Sequence, residues 1–224
     1  MLISIIIPAL NEEKSIAEVL KHTLRLEGHS EIILVDGGSK DNTIKLVKRC
    51  KEVKILSSEK GRAKQMNMGA SKAKGDIFLF LHADTYLPDS YNDDVNKLMQ
   101  NPEIVAGSFR LKMDMTHPIF KFYEWCSRFS VEFFTYGDHA MFVRADSFKS
   151  IDGFKPIPFM EDVEIQKRLR QKGSIKKLDT FVTTSSRRFK KNGVIVQLII
   201  DTLLVLGFKL GVSTKLLKRF YPDN

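Results

Sequence analysis

Asp76-Ile77-Phe78-Leu79-Phe80-Leu81-His82-Ala83-Asp84 (76–84) decides the fold. Residues 77–81 are apolar without interruption, as in a strand buried on both faces of a parallel sheet. Upstream, the same strand-to-polar-loop pattern recurs three times. Residues 2–7 are a mostly β-branched run followed by Asn11-Glu12-Glu13 and a segment with Ile16, Val19, Leu20 and Leu24 at helical spacing. Ile32-Ile33-Leu34-Val35 ends at Asp36-Gly37-Gly38-Ser39, after which Ile44, Val47 and Cys50 share one helix face between Asp41 and Lys51. Val53–Leu56 makes a third strand, and Gly61 opens a helix that runs through Ala73. This β-α-β-α-β-α-β order predicts an α/β fold, a Rossmann-like, mostly parallel sheet flanked by helices. Ligands bind such sheets beyond the carboxyl ends of the strands. The loops starting near Pro8, Asp36, Lys60 and His82 are therefore expected to converge on one site.

Beyond residue 100 the pattern changes. Ala106–Leu111 alternates as a strand, an aromatic stretch runs from Phe120 through Trp125 to Tyr136, and Ala140–Arg144 reads as a further strand. Phe159-Met160-Glu161-Asp162 precedes a charged helix ending near Lys172. The second half is expected to be antiparallel or helical. The division expected is a single domain, 1–224, made of a first half (1–105), a second half (106–190) and C-terminal apolar and basic helices (191–224).

With 43% hydrophobic and 28% charged residues among 224, and only 13 Gly and 7 Pro, the chain can bury a core and is not a disordered sequence. Its two cysteines, Cys50 and Cys126, are too few and too far apart for a disulfide framework or a zinc-thiolate site. The N-terminal apolar run lacks a basic flank and stops at Pro8, so it reads as a strand and not as a secretory signal; a cytoplasmic location is expected. Of the net charge of +9, a net +6 falls between Arg187 and Asn224.

Four constellations carry chemistry. Asp84, at a strand end, suits Mg²⁺ or Mn²⁺, which take few protein oxygens, although a turn before Pro88 would also explain it. Asp36-Gly37-Gly38-Ser39 lets backbone approach a ligand, with Asp36 accepting from a base or ribose; an N-cap at Asp41 or Asn42 is the plainer explanation. Glu161-Asp162 offers a general base to a hydroxyl, or else two acids favoured at a helix start by the helix dipole. Lys60, Arg62 and Lys64 surround Gly61, where helix N–H groups and cations suit a diphosphate or form a solvated face.

The segments Ser4–Glu13, Val35–Thr43, Leu79–Thr85, Gly61–Ala70, Tyr136–His139, Phe159–Glu164 and Thr183–Phe189, in this order and spacing, resemble family 2 glycosyltransferases of the GT-A fold, in particular a compact bacterial subgroup. The resemblance extends from about Leu2 to Val212. It implies transfer of a sugar from a nucleoside-diphosphate donor to a hydroxyl acceptor, with inversion at the anomeric carbon. It also implies that Asp84 ligates the divalent metal (Mn²⁺ or Mg²⁺), with His82 where relatives carry the first carboxylate of a D-x-D motif. Asp162 would take the acceptor proton with Glu161 beside it. Pro8, Ala9, Asn11, Glu12, Asp36, Gly61, Arg62, Asn67, His82 and Ala83 would hold the donor, and Asp138 and His139, with Trp125 and Tyr136, the acceptor. A non-catalytic nucleotide-sugar-binding or membrane-adaptor protein and a nucleotidyltransferase are the alternatives. Retention of both Asp84 and Asp162 weighs against the first; the second would release pyrophosphate.

Two apolar runs, Val194–Ile200 and Leu203–Phe208, are separated by Asp201 and flanked by basic clusters at Arg187–Lys191 and Lys209–Arg219. They fit an interfacial helix on an anionic membrane surface, which would make the protein peripheral on the inner face of the cell membrane and its acceptor a lipid. They also fit a helix closing the core. Nucleic acid is not an expected partner, since these basic residues border an apolar helix and not an aromatic platform.

Overall fold

Ile3, Ile5 and Ile7 point to one side of the first strand, Ser4 and Ile6 to the other, and all five are fully buried. Burial on both faces requires helices above and below, and the computed structural model, which describes residues 1–126 and 139–220, supplies them. In chain order the first half comprises β1 (Ile3–Ala9), α1 (Ile16–Arg25), β2 (His29–Asp36), α2 (Thr43–Val47), β3 (Val53–Ser57), α3 (Arg62–Lys72), β4 (Ile77–Phe80), β5 (Thr85–Tyr86) and α4 (Tyr91–Leu98). The second half comprises β6 (Ile104–Met113), α5 (Pro118–Cys126), β7 (Phe142–Arg144), α6 (Ala145–Ser150), α7 (Glu161–Leu169), β8 (Ser174–Thr184), α8 (Arg187–Asn192), α9 (Val194–Lys209) and α10 (Thr214–Phe220).

The described strands form one sheet in the order β3-β2-β1-β4-β7-β6-β8-β5. The first four strands are parallel, as the alternation predicts. β7 runs against both β4 and β6, while β8 is parallel to β6, so the second half returns to the direction of the first. Ile3, Ile5, Ile7, Ile77 and Leu79 pack with α1 and α4 on one face. Ile6, Phe78 and Phe80 pack with α3, α6 and α7 on the other. Each such side chain contributes about 1.5–3 kcal/mol by leaving water. Helix α3 lies close to the sheet because Gly69 has no Cβ; one would sit 2.4 Å from Ile6 Cγ2.

The 11-residue β8 was not foreseen. Its sequence, Ser-Ile-Lys-Lys-Leu-Asp-Thr-Phe-Val-Thr-Thr, has no continuous apolar run, because most of the strand is only half-buried. The helix expected from Asp41 is also shorter: α2 spans only Thr43–Val47, with Asn42 at its N-cap and Asp41, one residue earlier, accepting the Thr43 N–H at 3.0 Å.

Tyr91 begins α4 with its ring fully buried, and its hydroxyl meets His29 Nδ1 at 3.4 Å. Burial pushes its hydroxyl up to about 12. Since the folded-state value lies above the unfolded one, the contribution is complete below the unfolded pKa near 10 and is lost as pH rises through 12. The stability difference between wild type and Tyr91→Phe is expected to shrink by about 2 kcal/mol between pH 9 and 11.5 in urea titrations. Parallel pH profiles would show that this phenol is not the group responsible.

Candidate active site

A cavity of about 520 Å³ lies at the carboxyl edge of the sheet, within the size range of small-molecule sites. The loops after β1, β3 and β4 line it with Pro8–Glu12, Lys60–Arg62 and His82–Asp84, as expected. The opposite wall comes from the segment leading into α7 (Ile157–Phe159, Glu161), the end of β8, Arg187 and Arg188 of α8, and Lys218 of α10.

The loop after β2 stands behind the loop after β1 instead of lining the cavity. Asp36, 8% exposed, accepts the N–H groups of Gly38 and Ser39, and Gly37 N–H donates to the Ala9 carbonyl at 2.9 Å. Asn11 has a left-handed backbone (φ 56°); its N–H donates to Ser39 Oγ, and its side-chain oxygen accepts the Lys40 N–H. Glu12 N–H donates to Thr43 Oγ1 at 2.7 Å. Gln65, missed by sequence reasoning, donates its amide to both the Ala9 and Val35 carbonyls, at 2.8 and 2.9 Å. An amide buried on a helix face next to two strand ends leaves no periodicity signal beyond its place in the Gly61–Ala70 segment.

Two ion pairs join distant parts of the chain. Arg62 Nε bonds Glu161 Oε1, linking the start of α3 to the start of α7; the Glu161 side chain is 3% exposed. Arg187 grips Glu12 with both nitrogens, at 2.6 and 2.7 Å, and its Nη2 lies 3.3 Å from Asp84 Oδ2. Planar bidentate geometry makes the Glu12 contact the stronger of the two. Arg187 is delivered there by β8: Thr85 Oγ1 and Thr184 Oγ1 are 2.9 Å apart, so the strand after Asp84 pairs with the strand before α8. Ser186, fully buried, donates its N–H and hydroxyl to Asp114 and anchors the turn.

Met160, in a left-handed conformation (φ 63°), turns the chain into α7 so that Glu161 faces the cavity. Asp162 follows in the first helical turn, 8% exposed and, unlike Glu161, not on the cavity wall, its Oδ1 accepting the Val163 N–H at 2.9 Å. At the end of the same helix turn, Glu164 is pushed up by burial but held lower overall by Arg168 and Lys155.

Other sequence-predicted residues fall elsewhere. Asn67 clamps Phe154, donating to its carbonyl and accepting its N–H, and is not on the cavity wall. His139 is 1% exposed, with Nδ1 3.0 Å from the Phe109 carbonyl, and is likewise off the wall. Trp125, on α5, is 47% exposed and away from the cavity. Tyr136 and Asp138 lie outside the described residues. The basic cluster expected to flank an interfacial helix is divided: Arg187, Arg188 and Lys218 turn into the cavity.

Among the described residues no group of three or more His, Cys, Asp or Glu is placed to hold a metal ion unaided. Mg²⁺ and Mn²⁺ are commonly held by one or two carboxylates plus substrate phosphate, and Asp84 beside His82 on the wall of a cation-rich cavity fits that donor set.

The mostly parallel sheet with its cavity at the carboxyl edge matches solved glycosyltransferases of the GT-A fold. Staphylococcus aureus TarS 1–349, solved in complex with UDP-GlcNAc, superposes with a TM-score of 0.68 at 20% identity over 84% of this chain and 59% of that one. The mannosyltransferase PcManGT of Pyrobaculum calidifontis, in complex with GDP-Man and Mn²⁺, gives 0.65 at 19% identity over 81% and 56%. The family model for glycosyl transferase family 2 matches residues 4–153, and the chain belongs to that family. Among curated relatives, the undecaprenyl-phosphate 4-deoxy-4-formamido-L-arabinose transferase of Proteus mirabilis is 33% identical over 97 residues, 38% of this chain and 30% of that protein. Glycosyltransferase GlyG of Streptococcus pneumoniae serotype 4 is 30% identical over 140 residues, 58% and 46%. The matched region thus spans less than half the length of either relative.

Proposed function

We propose that the chain transfers a glycosyl group from a nucleoside-diphosphate sugar to an acceptor hydroxyl, with inversion, and that the acceptor is borne by a lipid. The observation that carries this reading is the cavity wall: Lys60, Arg62, Arg187, Arg188 and Lys218 face Glu12, Asp84 and Glu161 across one space at the sheet edge. Cations and the N-terminus of α3 suit a diphosphate, and carboxylates suit a cation and a hydroxyl proton. The lipid-borne acceptor is supported by relatives named for undecaprenyl-phosphate.

In the proposed division of labour, residues 1–105 hold the donor, 106–190 the acceptor, and 191–224 close the site as C-terminal helices. Pro8, Ala9, Asn11 and Glu12 border the nucleoside, with Asp36 supporting their loop from behind. Gly61 and Arg62 meet the diphosphate. Asp84, with His82 and Ala83 beside it, would hold Mn²⁺ or Mg²⁺, which when bound neutralises charge on the leaving diphosphate. Glu161 binds Arg62, and in this reading Asp162 takes the proton, the role that the family resemblance implies. The acceptor oxygen attacks the anomeric carbon, the bond from that carbon to the diphosphate oxygen breaks, and the nucleoside diphosphate leaves with the electron pair. The acceptor proton passes to Asp162. No covalent intermediate forms, so no nucleophilic side chain is required.

The test is a calorimetric panel of UDP-, GDP- and dTDP-sugars, each with Mn²⁺, with Mg²⁺ and with chelator. One donor is expected to bind at least tenfold more tightly with metal, and Asp84→Ala is expected to remove that increment. Donor turnover should release a nucleoside diphosphate. Pyrophosphate release would replace this reading with nucleotidyl transfer, and binding by no donor would overturn it.

A further inference from the structure

Helix α9 has two faces with different occupants. Leu204 and Val205 pack with Phe159, Met160 and Leu217, so the inner face braces the segment that leads into Glu161. Asp201, which interrupts the apolar run in sequence, is on this side as well: it is half-buried and accepts the amide of the fully buried Gln197 at 2.8 Å. Ile195, Ile199, Leu203, Leu206 and Leu210 lie at i, i+4, i+8, i+11 and i+15, one stripe of a helix, and are between 45% and 83% exposed. No charge interrupts this stripe.

Its surroundings are cationic. Lys190, Lys191, Lys209, Lys215 and Arg219 are all exposed around it, and Asp201 is the one acidic residue between Arg187 and Phe220. We infer that the outer face of α9, with the neighbouring Leu216 and Phe220 of α10, docks onto an anionic bilayer surface, the helix lying in the interface with its axis along the membrane. An apolar stripe bordered by lysine and arginine is the pattern that anionic lipid recognises, acyl boundary for the stripe and headgroup for the rim. A crossing is excluded for α9 by length. Its 16 residues span about 24 Å against a hydrocarbon core of about 30 Å, and among the described residues no helix is long and apolar enough to cross.

Helix α10 ties this surface to the cavity. Leu216, Arg219 and Phe220 are exposed while Lys218 lines the cavity, so the cavity lies one helix away from the docked face. A lipid-borne acceptor can keep its chain in the bilayer while its polar end reaches the carboxylates. That consequence rests on the proposed acceptor; docking itself does not, and it is read by binding without turnover.

The experiment is flotation of the full chain with vesicles of phosphatidylglycerol and phosphatidylcholine, or of phosphatidylcholine alone, at 50 and 500 mM salt. Binding to the anionic vesicles at 50 mM is expected, reduced at least tenfold on neutral vesicles and several-fold at 500 mM. The double variant Ile199→Glu and Leu203→Glu should lose at least tenfold in binding while keeping its circular dichroism spectrum and donor affinity, since both residues are exposed and off the cavity. Lys209→Gln with Lys215→Gln and Arg219→Gln should weaken binding and flatten its salt dependence. Failure of the wild-type chain to float at 50 mM salt would overturn the inference, as would unchanged flotation of the double glutamate variant. A concentration-dependent dimer in light scattering, dissolved by the same variant and accompanied by no flotation, would assign the stripe to a second copy and overturn it too.

Discussion

Asp162→Asn is expected to lower glycosyl transfer by two to four orders of magnitude with donor affinity within about twofold of wild type, the range associated with loss of a positioned general base. Glu161 and Asp162 are adjacent at the start of α7, but Glu161 is tied to the Arg62 guanidinium. A carboxylate oxygen bound to a guanidinium is placed to position that cation. A base acts only as the acceptor proton leaves, so its removal should appear in kcat and not in donor binding. Glu161→Gln, by contrast, should raise the donor KM, because it releases Arg62 from its place beside Gly61. Reversal of the two signatures would exchange the roles. Undiminished transfer by Asp162→Asn would remove the base altogether and point to an acceptor oxygen already ionised, such as a phosphate.

The sheet-edge wall of this cavity was legible because its elements announce themselves locally. The wholly apolar β4 and the nearly apolar β1, both buried throughout, belong in a covered parallel sheet, and the polar loops after them then have to lie at one edge. Pro8 to Glu12, Gly61, Arg62 and His82 to Asp84 came to the cavity on that argument and on the family resemblance. What stayed hidden depends on tertiary contact. Gln65 is recognisable only once Ala9 and Val35 are seen to converge above it. Asn67 is polar within the same helix, yet its amide satisfies the Phe154 backbone, and a sequence pattern cannot tell those uses apart.

The tail shows the same limit more sharply. Charge counting along 187–219 treats eight cations as one population, whereas the fold separates them by direction, three toward the cavity and the rest outward. Asp201 reads in sequence as a defect in an apolar helix; in three dimensions it faces Gln197 on the inner side, leaving the outer stripe intact. The strand responsible for bringing Arg187 to Asp84, β8, carries too many half-exposed lysines and threonines to register as apolar.

That delivery sets the other large effect. Arg187→Ala is expected to reduce kcat/KM for transfer by about 10²–10³-fold, the cost typical of removing one donor that meets developing charge. Two carboxylates depend on this guanidinium: Glu12, held bidentately, and Asp84, at 3.3 Å. Their side chains are 15% and 16% exposed. Without Arg187 they face one another with little water to separate them, and the loops after β1 and β4 lose their shared anchor. The guanidinium also stands on the wall proposed for the leaving diphosphate, where a fixed cation is most valuable as charge leaves the sugar. Arg187→Lys should not restore the rate, because a single ammonium cannot span both Glu12 oxygens and Asp84. Unfolding should move by only about 1 kcal/mol, since Arg187 is itself 35% exposed and the pair is partly screened. Glu12→Gln separates anchoring from chemistry: it leaves the guanidinium on the wall, so a loss matching that of Arg187→Ala would reduce Arg187 to an anchor, whereas a loss under tenfold would place its positive charge on the reacting diphosphate.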